Sequence, residues 1–306
     1  MKRLITFLLC AALCCFQANA QGWLPLAKSS SGGGYTGPGD ILAAKAWWSC
    51  TRGYNTADTS DACDVCLPAD TTCAHITLTS GFAVIPAALS TCNNTTVVCT
   101  VKTMFDKSGA LACAAGTSCD VTNATIAARF KFVVPLAANG CTTTSLPCIQ
   151  GVISTNNCLS STNNFTQAQP YSESFVTTRV GNTTAGTILG AGTSAIGAYF
   201  NGANTLTFQS TTLQSVTMSD NTWHAVQIVA NGASSSLHLD GSSPATVNVG
   251  AVGYSAEKIV LGDFQTTLCN SFTFPGGFIS EAGIWGSAFD TSITALNSNA
   301  HSQLGF

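Results

Sequence analysis

The chain has 306 residues, of which 8% are charged, with 11 Lys and Arg against 14 Asp and Glu and a formal net charge of −3. No basic patch occurs along it, which excludes nucleic acid as the partner, because phosphate binding rests on clustered Lys and Arg. A surface so poor in charge is covered by Ser, Thr, Asn and Gly and suits an exported β-protein.

The first element in chain order is a secretory signal peptide over residues 1–20. Lys2-Arg3 supply its positive start, Leu4 to Phe16 its short apolar core, and Ala18-Asn19-Ala20 an A-x-A cleavage site. The apolar run is too short to span a bilayer, and no later segment is long enough. A secreted or periplasmic location is therefore expected. The Ser- and Gly-rich stretch 21–34 reads as a flexible linker. A single domain is expected from 35 to 306, in two parts, cysteine-rich over 35–150 and rich in short strands over 151–306.

Asp40 is placed to cap a helix from Ile41 to about Arg52, with Ile41, Ala44, Lys45 and Trp48 on one face. Of 15 cysteines, Cys10, Cys14 and Cys15 fall in the leader. The remaining even set reads as a disulfide framework. The least-crossing pairing is Cys50–Cys63, Cys66–Cys73, Cys92–Cys99, Cys113–Cys119, Cys141–Cys148 and Cys158–Cys269. The rival reading, zinc at Cys63-Asp-Val-Cys66 with Cys73, lacks the second C-x₂-C that such sites use. No metal is assigned. Strands are predicted at Phe82–Ile85, Val97–Phe105 and Arg129–Val134.

Beyond Gly151 short strands recur between Gly, Asn and Ser turns: Ser174–Arg179, Thr187–Leu189, Ala195–Phe200, Thr205–Phe208, Ala245–Val249, Lys258–Leu261 and Phe278–Trp285. This pattern predicts a β-sandwich or barrel. Thr222 to Gly241 is its clearest part and reads as a hairpin. His224, Val226 and Ile228 alternate with Trp223, Ala225, Gln227 and Val229; an Asn231-Gly232 turn follows, then Leu237 and Leu239, closed by Asp240-Gly241. A final helix is capped at Asp290 or Thr291, with Ile293, Leu296 and Ala300 at helical spacing.

The Trp223-His224 strand and the Leu237-His-Leu239-Asp240-Gly241 partner resemble the strand pair of concanavalin-A-like and laminin-G-like jelly-roll domains. Two further blocks resemble the catalytic domain of α-L-arabinofuranosidase B of glycoside hydrolase family 54. One begins at Tyr35-Thr-Gly-Pro-Gly-Asp40-Ile41, passes through Trp47-Trp48 and reaches Phe105-Asp106-Lys-Ser-Gly109. The other runs from Ile259-Val-Leu-Gly-Asp263 to Gly277-Phe-Ile-Ser-Glu281-Ala-Gly-Ile-Trp285. The resemblance implies an all-β jelly-roll sandwich and a polysaccharide or glycan partner. It places the acid/base aspartate at Asp263. Where the family carries its nucleophile, Val180 to Gly190 contains no carboxylate.

Retaining glycoside hydrolysis needs two carboxylates about 5 Å apart. The acidic candidates are Asp40, Asp106, Glu173, Asp240, Asp263 and Glu281. Asp40 reads as a cap, and Asp106 and Asp240 as turn residues. Asp263 with Glu281 is the best pair, Glu281 as a half-buried acid flanked by Ile279 and Gly283. Its competing reading is a buried glutamate bonded to backbone amides. Among the aromatics, Tyr171 and Tyr254, beside Pro170 and Gly253, are expected to be exposed and to stack on sugar rings. His75, His224, His238 and His301 show no metal spacing, and no Ser-His-Asp motif is visible. Calcium at Asp240 and Asp263 would suit a lectin-like sandwich, but no ligand pattern supports it. The expectation is a monomeric glycan-binding protein, with arabinofuranoside hydrolysis and a structural or adhesion role as alternatives.

Overall fold

The computed structural model describes residues 34–135, 141, 146–152, 156–180, 186–191, 196–202, 204–242, 248–263 and 276–306. The leader and nearly all of the expected linker lie outside this set, as do Cys269 and residues 245–247 of one expected strand.

A short helix α1 (Pro38–Ile41) is followed by β1 (Ala46–Ser49), β2 (Cys63–Cys66), β3 (Cys73–Thr79), β4 (Phe82–Val84), β5 (Cys99–Met104), β6 (Val121–Thr122), β7 (Lys131–Val133), β8 (Cys148–Gly151) and β9 (Leu159–Ser161). Next come β10 (Phe165–Gln167), β11 (Tyr171–Arg179), β12 (Gly186–Ala191), β13 (Gly197–Phe200), β14 (Thr205–Gln209), β15 (Leu213–Thr217), β16 (Trp223–Ala230), β17 (Ser236–Leu239), β18 (Tyr254–Glu257), β19 (Ile259–Leu261) and β20 (Gly277–Trp285). The helix α2 (Ile293–Leu304) ends on Gly305 in the left-handed conformation.

All the ladders among the described residues are antiparallel, and most of them form two layers. One runs β17-β16-β11-β20-β1, with β8 and β7 continuing from the end of β20. The other runs β15-β14-β13-β12-β19-β9-β6. Strand β5 joins them. Its first residues pair with β7 and its last with β6, while its other edge pairs with β2. A strand shared in this way turns a corner between packed sheets. The fold is the jelly-roll β-sandwich that the sequence predicts.

The core between the layers includes Trp48, Phe132, Phe175, Phe200, Phe208, Val226, Ile228, Leu261 and Ile284, each at most 1% exposed. The first layer is also covered on its outer face. There α2 lays Ile293 and Leu296 over Trp47, Val229 and Trp285, and Ala300 and Leu304 over Val176 and Ala225. Strands β11, β16 and β20 are therefore buried almost continuously, as two-faced burial demands. Gly283 makes room for this arrangement, since a Cβ there would stand 2.7 Å from Trp47 Cδ1.

The helix expected over 41–52 is replaced by α1 and β1. Ala46 and Trp48 enter the inter-layer core while Trp47 packs on the outer side, an alternation of period two. Apolar residues occupy both faces, so a helical stripe and a two-faced strand coincide over these few positions. Asp40 sits inside α1, where its carboxylate accepts hydrogen bonds from the Gly37 and Thr56 amides, both at 2.8 Å. The hairpin faces are as predicted, with Val226 and Ile228 inward and Ala225 and Val229 outward. Its loop is longer than a two-residue turn: Gly232–Ser234 form a 3₁₀ turn before β17. Residues 248 and 249, the described end of the expected strand 245–249, are not in a strand. Helix α2 begins after a 3₁₀ turn, with Ser292 at its N-cap and no side-chain cap bond, so neither Asp290 nor Thr291 caps it.

Five disulfides follow the expected pairing: Cys50–Cys63, Cys66–Cys73, Cys92–Cys99, Cys113–Cys119 and Cys141–Cys148. Cys158 is also disulfide-bonded, and its expected partner Cys269 lies outside the described residues. Among the described residues, no helix is long and apolar enough to cross a membrane.

Candidate functional site

The two carboxylates paired by the sequence reading lie on different layers. Asp263 follows β19, just past Gly262 at φ 90°. A Cβ at Gly262 would fall 2.1 Å from the Asn157 carbonyl oxygen, so only glycine lets the chain pass Asn157 and deliver Asp263. Asp263 is 1% exposed. Glu281 belongs to β20, where the register with β11 shifts between Ile279 and Glu281. This bulge at Ser280 sends Ile279 to the inter-layer core together with Ala282 and Ile284. Glu281 is left on the outer face with Gly283 and Trp285. It does not share a face with Ile279 as a regular alternation predicts.

On that outer face Glu281 makes a two-pronged ion pair. Arg52 Nε donates to Oε2 at 2.5 Å and Nη2 to Oε1 at 2.7 Å, while Nη1 donates to Asn299 Oδ1 of α2 at 2.7 Å. Both partners are buried. Burial disfavours the Arg52 cation, but the Glu281 carboxylate more than compensates and holds its pKa above the usual range. A carboxylate with both oxygens tied to a guanidinium joins the N-terminal segment, β20 and α2. It is not the amide-bonded group of the competing reading.

Tyr171 and Tyr254 are buried, at 0% and 2% exposed, and so they are not the surface stacking residues expected from their turn-like neighbours. Tyr254 belongs to β18, which among the described residues pairs only with β10, in a separate ribbon. From there it reaches the inner face of β11, and its hydroxyl donates to Glu173 Oε1 at 2.7 Å. The Tyr254 ring stands edge-on to Phe165 and Tyr171, at 5.3 and 5.4 Å. Glu173 is fully buried, and Oε2 has no hydrogen-bond partner among the described residues. Burial pushes its carboxyl up to about 7, with the Tyr254 bond acting in the opposite direction. Sequence reasoning kept Glu173 among the acids without anticipating this apolar setting.

Arg179 closes β11 opposite Gly277. It is fully buried, lies over the Phe200 ring at 5.4 Å and stands 3.5 Å from Asp220 Oδ1. None of its guanidinium nitrogens has a hydrogen-bond partner among the described residues. The other acids are occupied. Asp106 accepts from Trp47 and Ser108 amides through Oδ1 and from the Cys119 amide through Oδ2, in keeping with its turn role. Asp240 binds His224 Nδ1 at 2.7 Å through Oδ2. The metal-like grouping Cys66, Asp70 and Cys73 is consumed by the Cys66–Cys73 bond and by an Asp70–Arg129 ion pair at 2.5 Å.

Half-buried aromatics gather instead near the chain end. Trp223 lies 6.3 Å from Phe278 and 6.4 Å from Phe306, and Phe306 lies 4.4 Å from the His301 ring. Each of these rings keeps part of its surface in solvent. Trp223 was visible in the hairpin, but nothing in the sequence pattern joins it to Phe306.

No family model matches the chain, and no curated protein matches it in sequence. Solved structures do match. A glycoside hydrolase family 54 α-L-arabinofuranosidase soaked with a cyclic sulfate inhibitor superposes with a TM-score of 0.63 at 13% identity, over 88% of this chain and 66% of that one. An arabinofuranosidase complexed with arabinofuranosyl-α-1,2-xylobiose matches with a TM-score of 0.59 at 13% identity, over 88% of this chain and 65% of that one. The chain thus spans slightly under two thirds of the length of these structures. It is a jelly-roll β-sandwich, similar in fold to the arabinofuranosidases of glycoside hydrolase family 54.

Proposed function

We propose that the chain is an exported carbohydrate-binding protein that uses an arabinofuranosidase-like sandwich to hold glycan without cleaving it. The fold likeness over 88% of the chain carries the reading toward carbohydrate. The state of the acids carries it away from hydrolysis. Glu281 is locked to Arg52 on the outer face, and Asp263 sits on the other layer. A nucleophile and an acid/base must flank one bond. The half-buried surface of Trp223, Phe278 and Phe306 supplies the apolar faces on which a pyranose or furanose ring stacks. Disulfides suit a protein working outside the cell.

The test is a glycan array and a calorimetric titration with arabinose-containing oligosaccharides, run beside an assay for sugar release from 4-nitrophenyl α-L-arabinofuranoside. Saturable binding without release is expected, weakened at least tenfold by Trp223→Ala and retained in Glu281→Gln. Release of arabinose that disappears in Asp263→Asn would establish the hydrolase reading in its place.

A further inference from the structure

Folding assembles a constellation that the linear sequence does not display. Ser219 lies in the turn between β15 and β16, His224 is the second residue of β16, and Asp240 follows β17. His224 Nε2 is 2.9 Å from Ser219 Oγ, and its Nδ1 is 2.7 Å from Asp240 Oδ2. We infer that Ser219, His224 and Asp240 form a nucleophilic acyl-transfer site that acts on carboxylic esters.

Each residue is positioned by the fold. The Ala225 amide donates to Asp240 Oδ1 at 3.0 Å, and the Asp240 amide donates to the Ala225 carbonyl at 2.9 Å, so the carboxylate is clamped to the strand that carries His224. Asp240 adopts φ 52°, a left-handed turn that Asp tolerates and that aims its side chain back across the hairpin. The turn holding Ser219 is fixed on both sides. The Met218 amide donates to the Asn204 carbonyl at 2.9 Å and the Asn221 amide to the Arg179 carbonyl at 2.6 Å. His301 Nε2 lies 3.7 Å from Asp240 Oδ1 on the side facing α2.

The chemistry follows from which nitrogen carries the proton. Asp240 accepts from Nδ1–H, which leaves Nε2 with a lone pair aimed at the Ser219 hydroxyl. Burial alone would raise the Asp240 carboxyl, but the bonds from His224 and the Ala225 amide hold it below the usual carboxylate range, so it stays anionic beneath the ring. The His224 side chain is 8% exposed, whereas Ser219 is open to solvent. A shielded base thus serves an accessible nucleophile. In the first half-reaction Oγ bonds to the ester carbonyl carbon as its proton passes to Nε2. The carbon–oxygen bond to the leaving group then breaks, and the alcohol departs with that proton. In the second, water gives a proton to Nε2 and attacks the acyl group; the carboxylic acid leaves and Ser219 recovers its hydrogen. No oxidant, metal or further reactant is required.

The experiment treats the intact, disulfide-bonded protein with an alkyl fluorophosphonate and locates the adduct by peptide mass spectrometry, beside hydrolysis of 4-nitrophenyl acetate. The expected result is one adduct per chain on Ser219, absent in Ser219→Ala, with ester hydrolysis in that variant reduced at least 100-fold. Because Ser219 is exposed, its variant keeps the fold, which circular dichroism verifies. His224→Gln is expected to remove labelling in the same way. No adduct, an adduct elsewhere, or unchanged hydrolysis in Ser219→Ala would overturn the proposal and leave the three residues as a structural tie. Glycan binding is read separately, so either reading can fail alone.

Discussion

The cysteine-rich part and the C-terminal part of the molecule hold themselves together by different means. Between Cys50 and Cys148 the strands are mostly short, and five disulfides close loops of 6 to 13 residues. Between Tyr171 and Leu304, β11, β16 and β20 are eight or nine residues long and are buried on one face by the second layer and on the other by α2. A region too loop-rich to bury a continuous face restrains its unfolded ensemble covalently, whereas one that stacks helix on sheet on sheet draws on apolar burial. The Arg52–Glu281 pair spans the two regions, and it is where their difference is most easily broken.

Replacing Glu281 by Ala leaves the Arg52 cation buried and uncompensated, so a loss of about 3–5 kcal/mol is expected in chemical denaturation. Substitution of both partners by a well-packed apolar pair should recover most of it. Such a recovery would show that the tie costs more to break than it contributes when made.

The second perturbation is specific to the C-terminal part. Burial in the folded state pushes the Glu173 carboxyl up from the ordinary 4.5 to about 7. The native state therefore binds the proton more tightly. The stabilisation from that proton is complete below about pH 4.5 and is lost as pH rises through 7. Glu173→Gln keeps an acceptor for Tyr254 without a charge, and should stabilise the protein by about 3 kcal/mol at pH 8 and by little at pH 4. Equal effects at both pH values would contradict the assignment.

The cysteine-rich part is sharpened by removing one staple. Cys92→Ala with Cys99→Ala opens a loop of 7 residues, for which a loss of about 2 kcal/mol is expected in chemical denaturation. The smallest effect is a gain. Gln227 is fully buried, and its side-chain amide has no hydrogen-bond partner among the described residues. Gln227→Met should raise stability by about 1 kcal/mol, measurable as an upward shift in Tm.

The hairpin faces, the strand-rich second half and α2 were legible because each rests on local periodicity. The disulfide pairing was legible because five bonds close loops that are short in sequence. Where two faces are buried, periodicity loses its meaning, and Ala46 to Ser49 was read as a helix for that reason. The bulge at Ser280 defeats face assignment in another way, since one extra residue reverses the side on which Glu281 emerges. Tyr254 shows a third limit. Its neighbour Gly253 signals a turn, but a separate two-stranded ribbon carries the ring inward to Glu173, a contact between positions 81 residues apart. Ser219, His224 and Asp240 have no motif for the same reason, as three successive segments meet only when β16 and β17 pair.

The central proposal is that this sandwich, similar in fold to the arabinofuranosidases of glycoside hydrolase family 54, binds glycan without cleaving it. The most direct measurement is a side-by-side titration of arabinose-substituted xylooligosaccharide, with bound ligand followed by calorimetry and free arabinose by chromatography. Saturation with no arabinose released, unchanged in Glu281→Gln once folding is verified, is the predicted result. Catalytic release of arabinose, or failure to bind any glycan, would contradict it.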